Sequence, residues 1–441
     1  MTHSLWKAIG TTLAALTLFG GLTACSSRGG DSGDGNTATT TSAVDTSEPL
    51  PVSTALPRFA YVANASSDTV SIYLVDASTG QWRPHGYAVT GRRPSSVTVD
   101  PSGQFAYVTN RYDNSISAYT LNASNGAMTK VGDDLPTGQA PSTITIDAQH
   151  RFAYVANNVG GSMSIYAIDA ATGALSKAGD DVPTGEGPQS LVIAPSGQFA
   201  YLATRGAETL LAFAIDAQTG ALKQIGDATS LAQPDAITVD PGGKFIYALA
   251  DGGYLTTYAI DAHTGAPSRV GDDVIVPGDE GVAMAIAPSG KFGYVANKSS
   301  NTVSAFAVNR TSGAVTHIGV VDAGKQPVAV TVDASGHFAY VANGGDQTVS
   351  AYRIDASTGL LTPVSQVRAH MEPSAIAVVS GPTAASVTPQ VIYAPNGANN
   401  AITAYRINAK DGSLTPMSDV ISGAKPALIA LDPYGRWAYV A

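Results

Sequence analysis

An internal repeat of 46 or 47 residues runs through most of the 441 residues of this chain. A short segment of the type FAYVAN recurs nine times, and one interval, of 53 residues, departs from the period. The central tyrosines of these segments are Tyr61, Tyr107, Tyr154, Tyr201, Tyr247, Tyr294, Tyr340, Tyr393 and Tyr439. A fixed period of this length indicates a repeat architecture, in which one supersecondary unit is copied along the chain.

Each repeat contains four segments with strand-like alternation, separated by turn sequences. In residues 94–138 these segments are divided by DPSG and NASNG. Alternating segments with Gly-based turns about every ten residues are typical of antiparallel β sheet, and a four-stranded unit of this period is typical of a β-propeller blade. The third strands, such as Val70–Val75, are apolar on both sides. This pattern disfavours an eight-stranded barrel, and a solenoid would need capping repeats.

The number of copies predicts an all-β propeller with eight four-stranded antiparallel blades. The first strand of the repeat occurs eight times, starting near Ser95, Ser142, Gln189, Asp235, Val282, Val328, Ser374 and Ala427. We expect the copy near Ala427 to pair with the strand at Phe59 and close the ring, which removes exposed sheet edges. A ninth copy of the second strand, Trp437–Val440, is then surplus. Either it displaces the strand at Phe59, or the chain is a piece of a longer product.

Composition excludes several functional classes. Charged residues make up only 13% of the chain, because blades covered on both faces leave few positions for charge. A net charge of −10 without any Lys/Arg cluster argues against a nucleic-acid surface. The single cysteine excludes a disulfide framework, a Cys-based zinc site and CxxCH haem attachment. The spacing of His, Asp and Glu suggests no metal site, so we expect neither a metal nor a cofactor.

The amino terminus has the pattern of an export signal. Residues 8–22 are mostly apolar, a length that suits a cleaved signal better than a membrane span. The sequence LTAC ending at Cys25 resembles the lipobox of bacterial lipoproteins, which implies lipidation of that cysteine. Residues 26–56 lack aromatic side chains and predict a disordered tether. We therefore expect a signal peptide (1–24), a lipidated cysteine with its tether (25–57) and a propeller (58–441); the alternative is an ordinary signal with an incidental cysteine.

The repeat motifs resemble those of a known family. FAYVAN, followed by TVSIY-type and DASTG-type segments and then by PSSVTVDPSG, resembles the YVTN-repeat propellers over residues 58–441. It is similar in particular to the lactonase family, which includes propeller-type 6-phosphogluconolactonase and carboxy-muconate cycloisomerase, and whose usual ring has seven blades. The resemblance implies hydrolysis of a lactone or sugar-acid ester.

Export changes the expected substrate. Phosphorylated sugars are cytoplasmic, so a lipid-anchored protein would act on an extracytoplasmic lactone or carbohydrate. Ser26 after the cysteine favours the outer membrane or the periplasmic side of a bacterial envelope. The alternative is a non-catalytic propeller that binds an envelope protein or a polysaccharide as a scaffold. We expect a monomer in either case.

Candidate site residues lie on one face of the predicted ring. The loops from fourth to first strand and from second to third strand share that face, which we call the variable face, because there the repeats differ in charge. Lactone hydrolysis needs a base and donors that stabilise an oxyanion. The loop with Arg368, His370 and Glu372 combines an imidazole, a carboxylate and a guanidinium, which predicts a catalytic group with His370 or Glu372 as the base. Predicted substrate-binding residues are Arg92, Arg111, Glu186 and Arg205; a merely solvated polar face is the alternative.

Overall fold

The first seven FAYVAN segments, up to residue 343, form strands whose six motif residues are all buried. The computed structural model describes residues 56–381 and, beyond them, five strands between residues 391 and 440. Strands such as Phe105–Asn110 and Phe338–Asn343 are buried at all six positions, because sheets cover both of their faces. The predicted signal peptide, Cys25 and most of the tether lie outside the described residues. No helix in the described part is long and apolar enough to cross a membrane.

Seven antiparallel sheets follow one another along residues 56–381. Blade 1 consists of β1 (Leu56–Asn64), β2 (Thr69–Val75) and β3 (Trp82–Val89), and is completed by β31 (Pro373–Gly381). Blade 2 consists of β4 (Pro94–Val99), β5 (Phe105–Asn110), β6 (Ser115–Leu121), β7 (Met128–Lys130) and β8 (Leu135–Pro136). Blade 3 consists of β9 (Pro141–Ile146), β10 (Phe152–Asn157), β11 (Ser162–Ile168), β12 (Leu175–Lys177) and β13 (Val182–Pro183). In blades 2 and 3 the last two short strands both pair with the third strand, so together they form an interrupted fourth strand.

The remaining blades repeat this order. Blade 4 consists of β14 (Pro188–Ile193), β15 (Phe199–Thr204), β16 (Thr209–Ile215), β17 (Leu222–Gln224) and β18 (Thr229–Ser230). Blade 5 consists of β19 (Pro234–Val239), β20 (Phe245–Ala250), the short 3-10 helix η1 (Asp251–Gly253), β21 (Tyr254–Ile260) and β22 (Pro267–Ile275). Blade 6 consists of β23 (Gly281–Ile286), β24 (Phe292–Asn297), β25 (Thr302–Val308) and β26 (Val315–Asp322). Blade 7 consists of β27 (Pro327–Val332), β28 (Phe338–Asn343), β29 (Thr348–Ile354) and β30 (Leu361–Arg368).

The seven first strands of these sheets surround the centre of a closed ring. Each contacts the first strands of the two neighbouring blades, and β31 contacts β4, which completes the circle. Hydroxyl groups reinforce these contacts: Ser95 Oγ donates to the Pro141 carbonyl at 2.7 Å, and Ser142 Oγ donates to the Pro188 carbonyl at 2.9 Å. The first strands are therefore the inner strands of a propeller.

The prediction of eight blades is wrong, because the ring closes one repeat earlier. The inner strand that pairs with β1 is β31, which contains Ser374, and not the copy near Ala427. β31 has nine residues, against six in each of the other inner strands, and β1 has nine, against six in a second strand such as β5. The ladder between β1 and β31 extends to Leu56 and Gly381. Because β1 pairs with β31 along this longer ladder, the ring closes with seven blades.

The later repeat copies form separate sheets. A three-stranded sheet contains β32 (Val391–Asn396), β33 (Ala401–Ile407) and β34 (Leu414–Ile421). A two-stranded sheet contains β35 (Ile429–Leu431) and β36 (Ala438–Val440), so the predicted pairing of the copy near Ala427 with the Phe59 strand does not form.

The repeated tyrosine and the repeated glycine connect neighbouring blades. The Tyr201 hydroxyl in blade 4 donates to the Gly265 carbonyl in blade 5 at 2.8 Å. Gly265 has a φ of +73°, and a Cβ there would lie 2.3 Å from the Phe199 ring. The turn glycine is therefore required both by its backbone conformation and by the ring packed against it. The same tyrosine–glycine bond recurs from Tyr61, Tyr107, Tyr154 and Tyr294.

These tyrosines give a matched test of the bond between blades. Tyr201→Phe removes a buried hydrogen bond and leaves the Gly265 carbonyl unpaired, so we expect a loss of about 1 kcal/mol in the free energy of unfolding. Tyr247 is equally buried, but its hydroxyl has no hydrogen-bond partner among the described residues. Tyr247→Phe should therefore be neutral or slightly stabilising. Urea unfolding followed by tryptophan fluorescence measures both, and equal losses in the two variants would contradict the assigned role.

Candidate functional site

The two loop classes of the variable face are hydrogen-bonded to each other. In blade 2, the Arg111 backbone N–H donates to the Arg93 carbonyl at 2.9 Å. In blade 1, the Ala65 N–H donates to the Glu372 carbonyl at 2.8 Å. Equivalent bonds occur in blades 3, 4, 6 and 7. The loop that enters each inner strand is thus fixed against the loop between the second and third strands, and side chains on both are held near the mouth of the ring.

The residue immediately before each inner strand has a positive φ. The seven residues are Arg93, Ala140, Gly187, Gln233, Glu280, Gln326 and Glu372. A non-glycine residue in this conformation is unusual and costs about 1 kcal/mol or more. Because the conformation recurs in every blade, it belongs to the architecture of the ring. What differs among blades is the side chain that it presents.

A charged cluster lies where the two ends of the ring meet, and we call it the seam site: Ser66, Thr69, Arg93, His370 and Glu372. The Arg93 Nη2 atom donates to Glu372 Oε1 at 2.8 Å. The other carboxylate oxygen, Oε2, accepts a hydrogen bond from the Ser66 hydroxyl. Both oxygens of Glu372 are therefore engaged, and the carboxylate holds the Arg93 guanidinium in place.

His370 lies two residues before Glu372 in the same loop and is exposed to solvent. Its Nδ1 atom is 3.1 Å from Thr69 Oγ1, and its ring centroid is 5.4 Å from that of Tyr87. Arg368 is the last residue of β30, where its carbonyl accepts a hydrogen bond from the Tyr73 hydroxyl at 2.8 Å. The loop thus carries Glu372, which pairs with Arg93, and His370, which contacts Thr69, while Arg368 contacts Tyr73 through its backbone carbonyl.

The predicted substrate-binding residues do not form one group. The Arg92 Nε atom pairs with Asp113 at 2.6 Å, which raises the pKa of the guanidinium. The Arg92 backbone N–H, and after it the side-chain contact, lowers the pKa of the Asp113 carboxyl. Arg205 pairs with Asp235, the second residue of β19. Arg111 donates to Asn158 Oδ1 at 3.3 Å and lies next to Arg93 through their backbone bond. Glu186 is exposed in blade 4.

A polar pocket opens between blades 6 and 7 on the same face. Its volume is about 490 Å³, and it is lined by Glu280, Lys298, Ser299, Asn301, Lys325, Gln326 and Gly345. Lys298 Nζ lies 3.1 Å from Glu280 Oε1, and Ser299 Oγ donates to Glu280 Oε2 at 2.5 Å. The hydrogen bonds from Ser299 and Lys298 lower the pKa of the Glu280 carboxyl.

Comparison with known proteins identifies the family. A sequence profile of the family described as "Lactonase, 7-bladed beta-propeller" matches residues 58–189, 186–284 and 278–379, which together exceed half of the chain. The chain belongs to this lactonase family. The blade count of the family agrees with the ring seen in residues 56–381, and the predicted resemblance is confirmed.

Solved structures share the fold of this lactonase-family chain. A protein from Bacteroides fragilis, provisionally assigned as a 6-phosphogluconolactonase, is 22% identical; the alignment covers 75% of this chain and all of that one, with a TM-score of 0.66. The periplasmic gluconolactonase of Pseudomonas aeruginosa is 19% identical; the alignment covers 73% of this chain and 98% of that one, with a TM-score of 0.65. At these identities the likeness shows the fold alone. No curated protein matches the sequence.

Sequence reasoning about this lactonase-family chain missed Arg93 and the two hydroxyl residues of the seam site. Arg92 and Arg93 are adjacent and identical in type, yet one turns to Asp113 and the other to Glu372. The signal was present in the repeat, because Arg93 and Glu372 both immediately precede the proline of an inner strand. Within the described residues, no three His, Cys, Asp or Glu side chains are grouped as metal ligands.

Proposed function

We propose that this protein hydrolyses a lactone or sugar-acid ester outside the cytoplasm, at the variable face of its propeller. The observation that carries the proposal is the seam site, where an exposed imidazole lies in the same loop as a carboxylate that holds an arginine at 2.8 Å. A base and a positioned cation are the two groups that ester hydrolysis needs. Membership of the lactonase family supports the reaction class.

The contacts distinguish the two candidate bases. Glu372 already accepts bonds at both oxygens, from Arg93 and Ser66, so it acts as the residue that positions Arg93. His370 is then the base. It removes a proton from a water molecule whose oxygen attacks the carbonyl carbon, and Arg93 stabilises the oxyanion that forms. When the ring C–O bond breaks, the imidazolium returns its proton to the departing alkoxide, which leaves a hydroxy acid.

Substrate recognition follows from which arginines are not paired with a carboxylate. Arg92 and Arg205 are paired with aspartates. Arg111 uses a guanidinium N–H for the Asn158 amide and has further donors. It also lies beside Arg93 in blade 2. We therefore assign recognition of a substrate carboxylate or hydroxyl group to Arg111 rather than to Arg92, Arg205 or the exposed Glu186.

A substrate screen tests the proposed reaction. The lipid-free chain from residue 26 onwards is incubated with sugar and aryl lactones, and acid release is followed by titration at constant pH. Hydrolysis of a sugar lactone above the rate of a heat-inactivated sample is the expected result. Inertness across both substrate classes, together with recovery of a specific envelope protein in a pull-down, would instead support the scaffold function.

One observation favours the scaffold function. Several charges of the variable face are paired with each other, as in Arg92–Asp113, Arg205–Asp235 and Lys298–Glu280. Exposed pairs of this kind contribute little to stability, about 0–1 kcal/mol each. They do leave a patterned surface with alternating charge, which suits recognition of a protein or polysaccharide partner.

The proposed location gives a separate prediction. We expect Cys25 to carry the lipid, so metabolic labelling with an alkyne fatty acid should mark the wild-type protein and leave Cys25→Ser unlabelled. The wild type should fractionate with membranes, since two or more acyl chains anchor a protein stably. The structurally similar gluconolactonase of Pseudomonas aeruginosa is periplasmic, which supports export of such a propeller. Equal labelling of both forms would contradict the assignment.

A further inference from the structure

The pocket between blades 6 and 7 is separate from the seam site. Its lining comes from the loop before β23, the loop between β24 and β25, the loop before β27 and the loop after β28. The seam site uses loops of blades 1 and 2 and the loop before β31. A volume of about 490 Å³ falls in the range of roughly 300–1,000 Å³ typical of small-molecule sites.

The pocket lies beside two adjacent glycines of blade 7, a pair that no other blade of the ring has at these positions. Gly344 and Gly345 follow the FAYVAN segment of blade 7, at the positions occupied by Arg111 and Tyr112 in blade 2. A Cβ at Gly345 would lie 3.1 Å from both Lys325 Cβ and Gln326 Cγ. A larger residue would therefore crowd the loop that enters β27. The glycine pair keeps the space above Lys325 and Gln326 open.

The chemistry of the lining selects a charged, hydroxylated ligand. Every lining side chain is polar, with amides from Asn301 and Gln326 and a hydroxyl from Ser299. The carboxylate of Glu280 is neutralised by Lys298. Among the residues that the structure describes, the Lys325 ammonium has no carboxylate within 4 Å, so it is an unpaired cation at the pocket wall.

The nearby Asp346 does not offset this charge by pairing with the ammonium. Its Oδ2 atom accepts the Lys325 backbone N–H at 3.1 Å, and its Oδ1 atom accepts the Thr348 hydroxyl at 2.6 Å. Both oxygens are therefore engaged by groups of the loop itself. Lys325 remains the group best placed to bind an anion in the pocket.

We propose that this pocket binds a sugar acid, with the ligand carboxylate on Lys325 and its hydroxyl groups on Gln326, Asn301 and Ser299. The cation and the polar lining point to a hydroxylated anion. The choice of a sugar acid rests on the proposed function, since hydrolysis of a sugar lactone yields such an acid. The pocket would then hold product apart from the seam site.

Calorimetric titration with D-gluconate tests the proposal on the lipid-free chain. We expect saturable binding that weakens about tenfold or more in Lys325→Gln, because a charge-assisted bond is lost. Gln326→Ala should weaken binding several-fold, and it should fold, since Ala140 has the same position and a positive φ in blade 3. Lys223→Gln, on the outer strand β17, is the matched control and should bind as the wild type does.

The ligands and the activity assay separate the possible failures. D-glucose, which lacks the carboxylate, and inorganic phosphate, which lacks the carbon chain, should both bind at least tenfold more weakly than gluconate. Absence of gluconate binding by the wild type, equal affinity of Lys325→Gln, or phosphate binding as tight as gluconate would each overturn the proposal. Gluconate binding without lactone hydrolysis would overturn the proposed function and leave the pocket assignment standing. Hydrolysis without gluconate binding would overturn the pocket assignment and leave the proposed function standing.

Discussion

Replacing His370 with alanine should lower kcat/KM for a hydrolysed sugar lactone by about 10²- to 10⁴-fold, the range that a general base contributes. The imidazole is exposed on the variable face, 3.1 Å from the Thr69 hydroxyl and in the loop that carries Glu372. Most of the loss should fall on kcat, because the imidazole acts on the attacking water and contributes little to ground-state binding. Initial rates at several lactone concentrations measure both constants.

Two further variants test whether this effect is specific. His263→Ala removes an exposed imidazole from a turn of blade 5, where the His263 backbone N–H donates to Asp261 at 3.0 Å. That turn lies on the opposite face from the seam site, so the variant should keep the wild-type kcat/KM. The double variant His370→Ala, Glu372→Ala should lose at least as much activity as His370→Ala, with a normal melting temperature. If the double variant hydrolysed the lactone at the wild-type rate, the catalytic assignment would be wrong.

The repeat motifs predicted the blades well because each motif residue has a local structural role. FAYVAN supplies the buried second strand, and its tyrosine and the glycine of the DASTG turn meet between neighbouring blades. These contacts repeat with the period of the sequence. An alternating pattern therefore contains enough information to assign four-stranded antiparallel sheets over residues 59–354 without any structure.

The blade number depends on a choice that the motif does not encode. Copies of the inner strand at Ser374 and Ala427 have similar sequences, and either is a possible partner for the Phe59 strand. The structure selects the copy at Ser374, whose strand is extended by residues 379–381 beyond the repeat unit. Counting copies treats all of them alike, whereas closure depends on one long-range pairing between β1 and β31.

The candidate sites, like the blade number, could be predicted only in part from the sequence. The sequence indicated which face would vary, and it identified the loop containing His370 and Glu372. It did not separate Arg92 from Arg93, because their directions depend on the backbone at Arg93, where φ is +55°. Nor did it predict the pocket at Lys325, which requires two loops more than 40 residues apart, one contributing Lys298 and the other Gly345. A sequence that is compared one repeat at a time does not predict sites formed between two blades.

Ring closure gives the prediction with the largest structural effect. A chain that ends at Gly381 retains all seven blades, so we expect the melting temperature and near-UV circular dichroism of the ring to be preserved. A chain that ends at Glu372 lacks β31, whose residues pair with β1 and pack into the cores on both sides, with Ile376 and Val378 in one core and Ala377 and Val379 in the other. This second chain should fail to give soluble monomer, because the edge of β1 and two apolar surfaces are exposed.

A point variant in the full-length chain makes the same test without truncation. Val378 is partly buried and packs against the core cluster that contains Val62, Trp82 and Tyr340, so Val378→Asp places an unpaired carboxylate at an apolar surface, which is destabilising. It should reduce soluble yield, although residues 382–441 are still present. If the ring instead had eight blades and closed near Ala427, removal of residues 382–441 would delete both a blade and the closing strand. The chain that ends at Gly381 would then lose its melting transition. Retention of the full melting temperature after removal of those residues distinguishes the two closures.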